Sequence, residues 1–183
     1  FLACDDSFLI QVQDHFSQAT AVSSNDIVIA VRNQGGIDVT AAEQLLSNTQ
    51  LRFGICDPDQ SALGRLTKRI WESHESPADY EKLARQAAVT VDVGPTLISQ
   101  LMSGGLDAAI VYRSNVVSDA SASQRLKIVE IDSDLARARQ AWAVAKTSRN
   151  PELMNRFFAW MRRKEVTNRF QRFGFSPPES ERP

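Results

Sequence analysis

The chain has 183 residues, of which 43% are hydrophobic and 23% charged, an ordinary balance for a globular protein. Its 21 basic and 22 acidic residues give a net charge of −1, which argues against a nucleic-acid partner because such binding relies on clustered Lys and Arg. No apolar run approaches the roughly 20 residues that span a bilayer. No signal peptide is recognisable in the sequence, and a mature exported protein would look the same.

Predicted strands and helices alternate along the chain. Compact apolar runs predict strands at 1–4, 27–31, 51–55, 89–93, 108–112, 126–131 and 141–145. Helical spacing of apolar residues predicts helices at 7–17, 40–46, 62–73, 76–86, 95–102, 151–163 and 166–172. Gly35-Gly36 and Gly104-Gly105 interrupt the pattern. This alternation predicts an α/β fold with mostly parallel sheets flanked by helices.

The most informative segment is the turn between the strand at 51–55 and the helix that follows Ser61. The first amides of that helix, around Ala62, have no partner within the helix and carry the positive end of its dipole. Ligands of open α/β sheets gather at such carboxyl ends of strands. The segment therefore predicts an anion site. A capped turn without a ligand explains the same residues about equally well.

Two more strand ends carry candidate ligand groups. Gly94 follows the strand at 89–93 and precedes Pro95, which opens a helix, so backbone can approach a ligand closely there. Tyr112 ends the strand at 108–112, where its ring can pack in the core while its hydroxyl reaches a cleft. Taken alone, a tyrosine at this place is more often structural. Three such strand ends on one sheet edge favour a shared cleft.

Catalytic constellations are weak. His15 and His74 stand alone on predicted helices without metal-ligand spacing, so we interpret both as surface or cap residues. Asp5-Asp6 has two interpretations, an acid/base pair or a cap for the next helix; adjacent residues of an extended chain point in opposite directions, which favours the cap. No nucleophile elbow, phosphate loop or C-x-x-C motif is present. We therefore expect neither catalysis nor a bound metal or cofactor.

Two further features have only weak functional interpretations. Cys4 and Cys56 are too few and too far apart for a metal motif or a disulfide framework, and residues 1–4 only loosely resemble a lipoprotein processing site. The C-terminal helices carry a basic set, which is usually a solvated helix face and less often a docking surface. Its members are Arg156, Arg162, Arg163, Lys164, Arg169 and Arg172.

The order of several short motifs resembles the periplasmic molybdate-binding proteins and their tungstate-binding relatives. The matching segments are 1–6 (FLACDD), the strand at 25–31, 57–64 (DPDQSALG), 106–112 (LDAAIVY) and the closing helices at 150–175. The resemblance covers nearly the whole chain. Each motif is moderately specific, and their order and spacing carry most of the weight.

The resemblance implies a solute-binding protein of an ABC importer, with a periplasmic-binding-protein-like fold of two lobes. It assigns 1–30 and 132–175 to an incomplete first lobe, 31–131 to the second, and 176–183 to a flexible tail. It also implies a periplasmic or other extracytoplasmic location, a membrane permease as partner, and a monomer.

The ligand that the resemblance implies is a tetrahedral oxyanion such as molybdate or tungstate. It places the second-lobe ligands at the Ala62 amide, with Ser61 beside it, the Gly94 amide and the Tyr112 hydroxyl. The family usually has Val at position 94 and a small or polar residue at position 63, where this chain has Leu63. The family's first-lobe serines correspond to a segment upstream of this chain, so we expect weak binding by the chain alone.

Two other function classes remain open at this stage. The same lobes serve as the effector-sensing domain of some transcription regulators, which an upstream helix-turn-helix would indicate. An enzyme on this fold would need convergent titratable groups in the cleft, and the sequence shows none clearly. Sulfate or a small organic acid also remains a candidate ligand.

Overall fold

A computed structural model describes residues 1–34, 38–73 and 78–178. The strands are β1 (Leu2–Ala3), β2 (Thr20–Arg32), β3 (Phe53–Cys56), β4 (Val89–Val91), β5 (Ala108–Tyr112), β6 (Leu126–Glu130) and β7 (Arg137–Trp142). The helices are α1 (Ser7–Ile10), α2 (Gln44–Ser47), α3 (Ala62–Glu72), α4 (Ala78–Gln86), α5 (Gly94–Ser103), α6 (Arg113–Val117), α7 (Ala120–Arg125), α8 (Pro151–Met161) and α9 (Lys164–Arg172).

Several predicted features lie outside the described residues. These are the break at Gly35-Gly36, His74, the helix start at Ser76-Pro77 and the tail from residue 179. Ser176, which was also assigned to the tail, pairs with Ser24 through two backbone hydrogen bonds of 2.8 and 2.9 Å.

The chain divides into two compact units. Unit 1 contains Phe1–Asn25 and Ala138–Pro183, and unit 2 contains Asp26–Arg137. The chain passes from one unit to the other within β2 and again within β7. The assignment of these regions to two lobes that close on a ligand stays a prediction.

Unit 2 is built on a sheet in the order β6-β2-β5-β3-β4. β3 is parallel to both β4 and β5, whereas β2 is antiparallel to both β5 and β6. Strands β3, β4, β5 and β6 therefore share one direction and β2 runs against them. The predicted parallel pairing holds for the β4-β3-β5 part of the sheet, where helices provide the crossovers. The prediction of mostly parallel sheets did not give β2 a direction, and its two antiparallel pairings make the sheet mixed.

The core of unit 2 lies on both faces of this sheet. Residues 27–31 and 108–111 are almost inaccessible to solvent, as continuous apolar strands require when both faces are covered. Helix α3 buries Leu63, Leu66 and Ile70, which recur with helical spacing, and α5 buries Leu97 and Leu101 in the same way.

Unit 1 has a smaller core. Strand β1 pairs antiparallel with β7, and Ala3, Leu9 and Ala141 belong to its buried cluster. The six basic residues predicted to form a solvated face on α8 and α9 are all exposed. Beside them, α8 also exposes three large apolar side chains, namely Leu153, Phe157 and Trp160.

Some predicted elements are wrong in extent. The helix predicted at 7–17 ends at Ile10, and a separate 3-10 turn covers Gln13–His15. The strand predicted at 141–145 is β7, which begins four residues earlier. The prediction missed its first residues because the arginines there interrupt the apolar pattern. Helices α6 and α7 were not predicted, because five or six polar-rich residues are too few to show a helical period.

Asp107 joins the starts of β3 and β5 at the edge of the sheet where these strands begin. Its carboxylate accepts hydrogen bonds from the backbone N–H of Arg52 at 3.2 Å and from the Arg52 guanidinium at 2.7 and 3.0 Å. Arg32, at the end of β2, donates a further bond of 3.2 Å. The hydrogen bond from Arg52 is the main cause that lowers the pKa of Asp107 below its ordinary value.

We predict that Asp107→Asn lowers the free energy of unfolding at pH 7 by about 1–2 kcal/mol, because it removes the negative charge that accepts hydrogen bonds from three groups. The loss is not larger because Arg52 is half exposed, so solvent screens its interaction with Asp107. A lowered pKa contributes stability above the unfolded-state pKa, and that stability is lost as the pH falls through the folded-state pKa. The wild-type advantage should therefore shrink below about pH 4. Urea denaturation at pH 7 and pH 3 measures this.

Asp38→Asn is the matched control for that measurement. Asp38 pairs with Lys127 at 3.1 Å, but both side chains are largely exposed, so its substitution should change the free energy of unfolding by less than about 0.5 kcal/mol. Equal losses in the two variants would contradict the anchoring role of Asp107.

Candidate functional site

Helix α3 begins at the turn that the sequence singled out. Ser61 is its N-cap, with extended backbone (φ −134°, ψ 138°), and its hydroxyl accepts a hydrogen bond from the Gly64 N–H at 3.4 Å. The amides of Ala62 and Leu63 find no acceptor within the described parts of the chain. The turn therefore presents two free backbone donors at a helix N-terminus.

Gly64 lies in unusually close contact with the end of β3. A Cβ atom at this position would stand 2.3 Å from the carbonyl oxygen of Asp57 and 2.5 Å from that of Cys56. Backbone atoms cannot turn aside as a flexible side chain can, so only glycine fits. The contact fixes the first turn of α3 directly against the carboxyl end of β3.

Gly94 is the first residue of α5 and is buried. A Cβ atom there would lie 2.7 Å from Asn115 Oδ1 and 3.4 Å from Leu63 Cδ2. Since Leu63 belongs to the first turn of α3 and Asn115 to α6, the starts of α3, α5 and α6 meet around Gly94. The helix starts that follow the three selected strand ends therefore lie close together.

Tyr112 ends β5 and is the N-cap of α6. Its hydroxyl oxygen is buried, and its backbone N–H donates to Asn115 Oδ1 at 3.2 Å. Sequence reasoning missed Asn115. The signal that was available is its position three residues after the N-cap, where a side-chain amide can return to the N-cap N–H as in a capping box.

Carboxylates contribute to the electrostatics around Cys56, at the end of β3. Burial raises the pKa of the Cys56 thiol to about 11; a hydrogen bond with Ser61 opposes that rise, and the carboxylates of Asp92 and Asp57 add to it. Asp57 also accepts the Asp59 N–H at 2.7 Å. An anion bound near Cys56 would be repelled by these two carboxylates.

His15, Asp5 and Asp6 were the weaker candidates from the sequence. His15 is exposed in the 3-10 turn. Asp5 is buried and accepts the N–H of Ser7 at 3.1 Å, while Asp6 lies 3.7 Å from Arg139. Among the described residues, no group of three or more His, Cys, Asp or Glu side chains is placed to hold a metal ion.

We predict that Gly64→Ala lowers the free energy of unfolding by about 3 kcal/mol or more, because its methyl group would overlap backbone that cannot move. Gly105→Ala is the control, since the first atom its Cβ meets, at 2.6 Å, is the end of the flexible Gln100 side chain. It should cost less than about 1 kcal/mol. Urea denaturation measures both values, and a tolerated Gly64→Ala would refute the close approach.

The two cysteines, both free, should differ in reactivity. Cys4 is exposed and Cys56 is buried, so iodoacetamide at pH 8 should modify Cys4 in the native protein and Cys56 only after unfolding. Because the pKa of Cys56 is raised, its contribution to stability is full below about pH 8.5 and falls as the pH rises towards 11. In urea denaturation, Cys56→Ala should therefore lose less stability than the wild type as the pH rises over this range. Rapid native modification of Cys56 would contradict its burial.

Solved structures share the fold at low sequence identity. The Azotobacter vinelandii periplasmic molybdate-binding protein has 16% identity and a TM-score of 0.74, covering 98% of this chain and 78% of its own. PEB3 of Campylobacter jejuni with bound L-phospholactate has 13% identity and a TM-score of 0.76, covering 97% and 78%. The Bordetella ferric binding protein has 14% identity and a TM-score of 0.71, covering 96% and 68%. These likenesses confirm the predicted periplasmic-binding-protein-like fold.

Sequence comparison identifies the family. No curated protein sequence matches the chain. The family described as "Bacterial extracellular solute-binding protein" matches residues 5–176, nearly the whole chain. The chain therefore belongs to the bacterial extracellular solute-binding protein family.

Proposed function

We propose that this protein is the solute-binding component of an ABC importer and binds a tetrahedral oxyanion such as molybdate or tungstate. The proposed ligands are the backbone amides of Ala62 and Gly94 and the hydroxyl of Tyr112, with Ser61 shaping the turn. Family membership supports solute binding. The A. vinelandii structure, described as a molybdate-binding protein, supports the choice of anion.

The convergence at Gly94 is the observation that carries this proposal. Leu63 of α3 and Asn115 of α6 both lie within contact distance of the position that a Cβ of Gly94 would occupy. The first amides of α3 and α5 thus belong to one small region, and Tyr112 is tied to it through Asn115. Clustered amides at helix N-termini favour an anion without a formal positive charge.

An energy estimate sets the expected affinity. Hydrogen bonds to a charged group contribute about 1.5–3 kcal/mol each, so three donors supply about 5–9 kcal/mol before the costs of association. Dissociation constants near 1 µM require about 8 kcal/mol in total. We therefore expect this chain to bind an oxyanion with a dissociation constant above about 1 µM.

The nearby carboxylates of Asp57 and Asp92 reduce that affinity further. Each opposes a bound anion in proportion to the anion's charge, and the effect weakens in salt because Asp92 is exposed. A singly charged anion is penalised less than a dianion. A small organic acid therefore stays in the ligand panel beside molybdate, tungstate, sulfate and phosphate.

The family description is extracellular, and we propose a periplasmic location with a membrane permease as partner. Within residues 1–34, 38–73 and 78–178, no helix is both long and apolar enough to cross a bilayer. We also propose that the protein has no nucleic-acid partner, because its charge is balanced. We further propose that it acts as a monomer.

We predict that Ala62→Pro weakens oxyanion binding by about tenfold or more while leaving the fold intact. Proline is favoured at the first position of a helix, and the extended backbone of Ser61 suits a residue before proline. The substitution therefore deletes one proposed donor, worth about 1.5–3 kcal/mol, at little cost in stability. Isothermal titration calorimetry with molybdate, with thermal shift as the stability readout, measures this.

Ala120→Pro is the matched control, because Ala120 is the first residue of α7 and follows an extended N-cap, Asp119. It should leave binding unchanged. Tyr112→Phe tests the hydroxyl in the same way, with Tyr80→Phe, at the chain's other tyrosine, as its control. If no oxyanion of the panel stabilises the wild-type chain, the anion assignment is wrong.

A further inference from the structure

Asn115 connects two of the proposed ligand groups. Its Oδ1 atom accepts the backbone N–H of Tyr112 at 3.2 Å, and the same atom would lie 2.7 Å from a Cβ at Gly94. The side chain therefore fills the space that the missing side chain of Gly94 leaves open. Neither the resemblance to the molybdate-binding proteins nor the family match assigned a role to this residue.

The orientation of the Asn115 carboxamide follows from its partner. A backbone N–H is a donor, so the atom that faces it must be the oxygen, and a flipped amide would set two donors against each other. The oxygen therefore faces the Tyr112 N–H, and the other polar atom of the side chain is the amide nitrogen. A neutral side chain whose amide nitrogen carries two N–H donors suits the neighbourhood of a bound anion.

We propose that Asn115 is a positioning residue of the candidate site: it holds the start of α6, and with it Tyr112, at a fixed distance from the first turn of α5, and its neutrality permits anion binding beside Gly94. This inference rests on the proposed function for the ligand. The positioning itself depends only on the contacts of Asn115 with Tyr112 and Gly94.

An aspartate at this position separates the two roles. Its carboxylate can accept the same N–H, and a negative charge in the first turn of a helix is compatible with the helix dipole. Asn115→Asp should therefore keep the local structure while adding a negative charge next to Gly94. Asn115→Ala removes the acceptor and should loosen the start of α6.

The first test is ligand binding by the 183-residue chain, with molybdate as the probe in calorimetry. We expect Asn115→Asp to keep the thermal midpoint of the wild type and to lose about tenfold or more in affinity, an effect that shrinks as salt is added. Asn48→Asp is the control: Asn48 Oδ1 also accepts a backbone N–H, from Gln50 at 3.1 Å, but lies on the loop after α2. Wild-type affinity in Asn115→Asp would overturn the proposal.

The second test needs no ligand. Hydrogen exchange of the Tyr112 amide, followed by NMR, should be faster in Asn115→Ala than in the wild type and should stay slow in Asn115→Asp. Unchanged exchange in Asn115→Ala would overturn the positioning role whether or not an anion binds. If exchange responds as expected but the wild type binds no anion of the panel, the proposed ligand fails and the positioning role stands.

A double-mutant cycle examines the contact with Gly94 directly. Gly94→Ala should lower the thermal midpoint of the wild type, because its methyl group meets Asn115 Oδ1 at 2.7 Å, and should lower it less in the Asn115→Ala background. Equal shifts in the two backgrounds would show that Asn115 and Gly94 are independent, which contradicts the proposal.

Discussion

The candidate site depends on the close approach of helix α3 to the end of strand β3. At Gly64 the helix backbone lies so near the carbonyl groups of Cys56 and Asp57 that a side chain cannot fit. This contact determines where the first turn of α3 stands and hence where the amides of Ala62 and Leu63 lie. Leu63 Cδ2 in turn lies 3.4 Å from the position that a Cβ of Gly94 would occupy, so the placement of one helix start constrains the next.

Strand direction explains why these helix starts can meet at all. β3, β4 and β5 run the same way, so the segments that follow them, α3, α5 and α6, begin at the same edge of the sheet. At the opposite edge, Asp107 ties the starts of β3 and β5 through Arg52. Residues 27–31 of the reversed strand β2 are almost inaccessible to solvent, and β2 contributes no helix start to this edge.

The shared fold does not by itself define the chemistry of a ligand. Among the solved structures of this fold, one is described as a molybdate-binding protein, one as a complex with L-phospholactate and one as a ferric binding protein. Selectivity within such a fold must come from the groups at the loops. In the site proposed for this chain, the balance between amide hydrogen bonds and repulsion by the carboxylates of Asp57 and Asp92 would set which anion, and of what charge, is retained.

The sequence by itself determined the α/β fold class and the positions of α3, α5 and β5, because N-caps, glycines and apolar periods are local signals. It also marked Tyr112 at a strand end and Ser61, Ala62 and Gly94 near the helix starts that follow strands, and the role of these four residues as ligands stays a prediction. Only the tertiary structure decided the reversal of β2, the place of the short helix α6 and the contact of Asn115 with Gly94. Strand direction and contacts between residues far apart in sequence arise from packing, which no local pattern records.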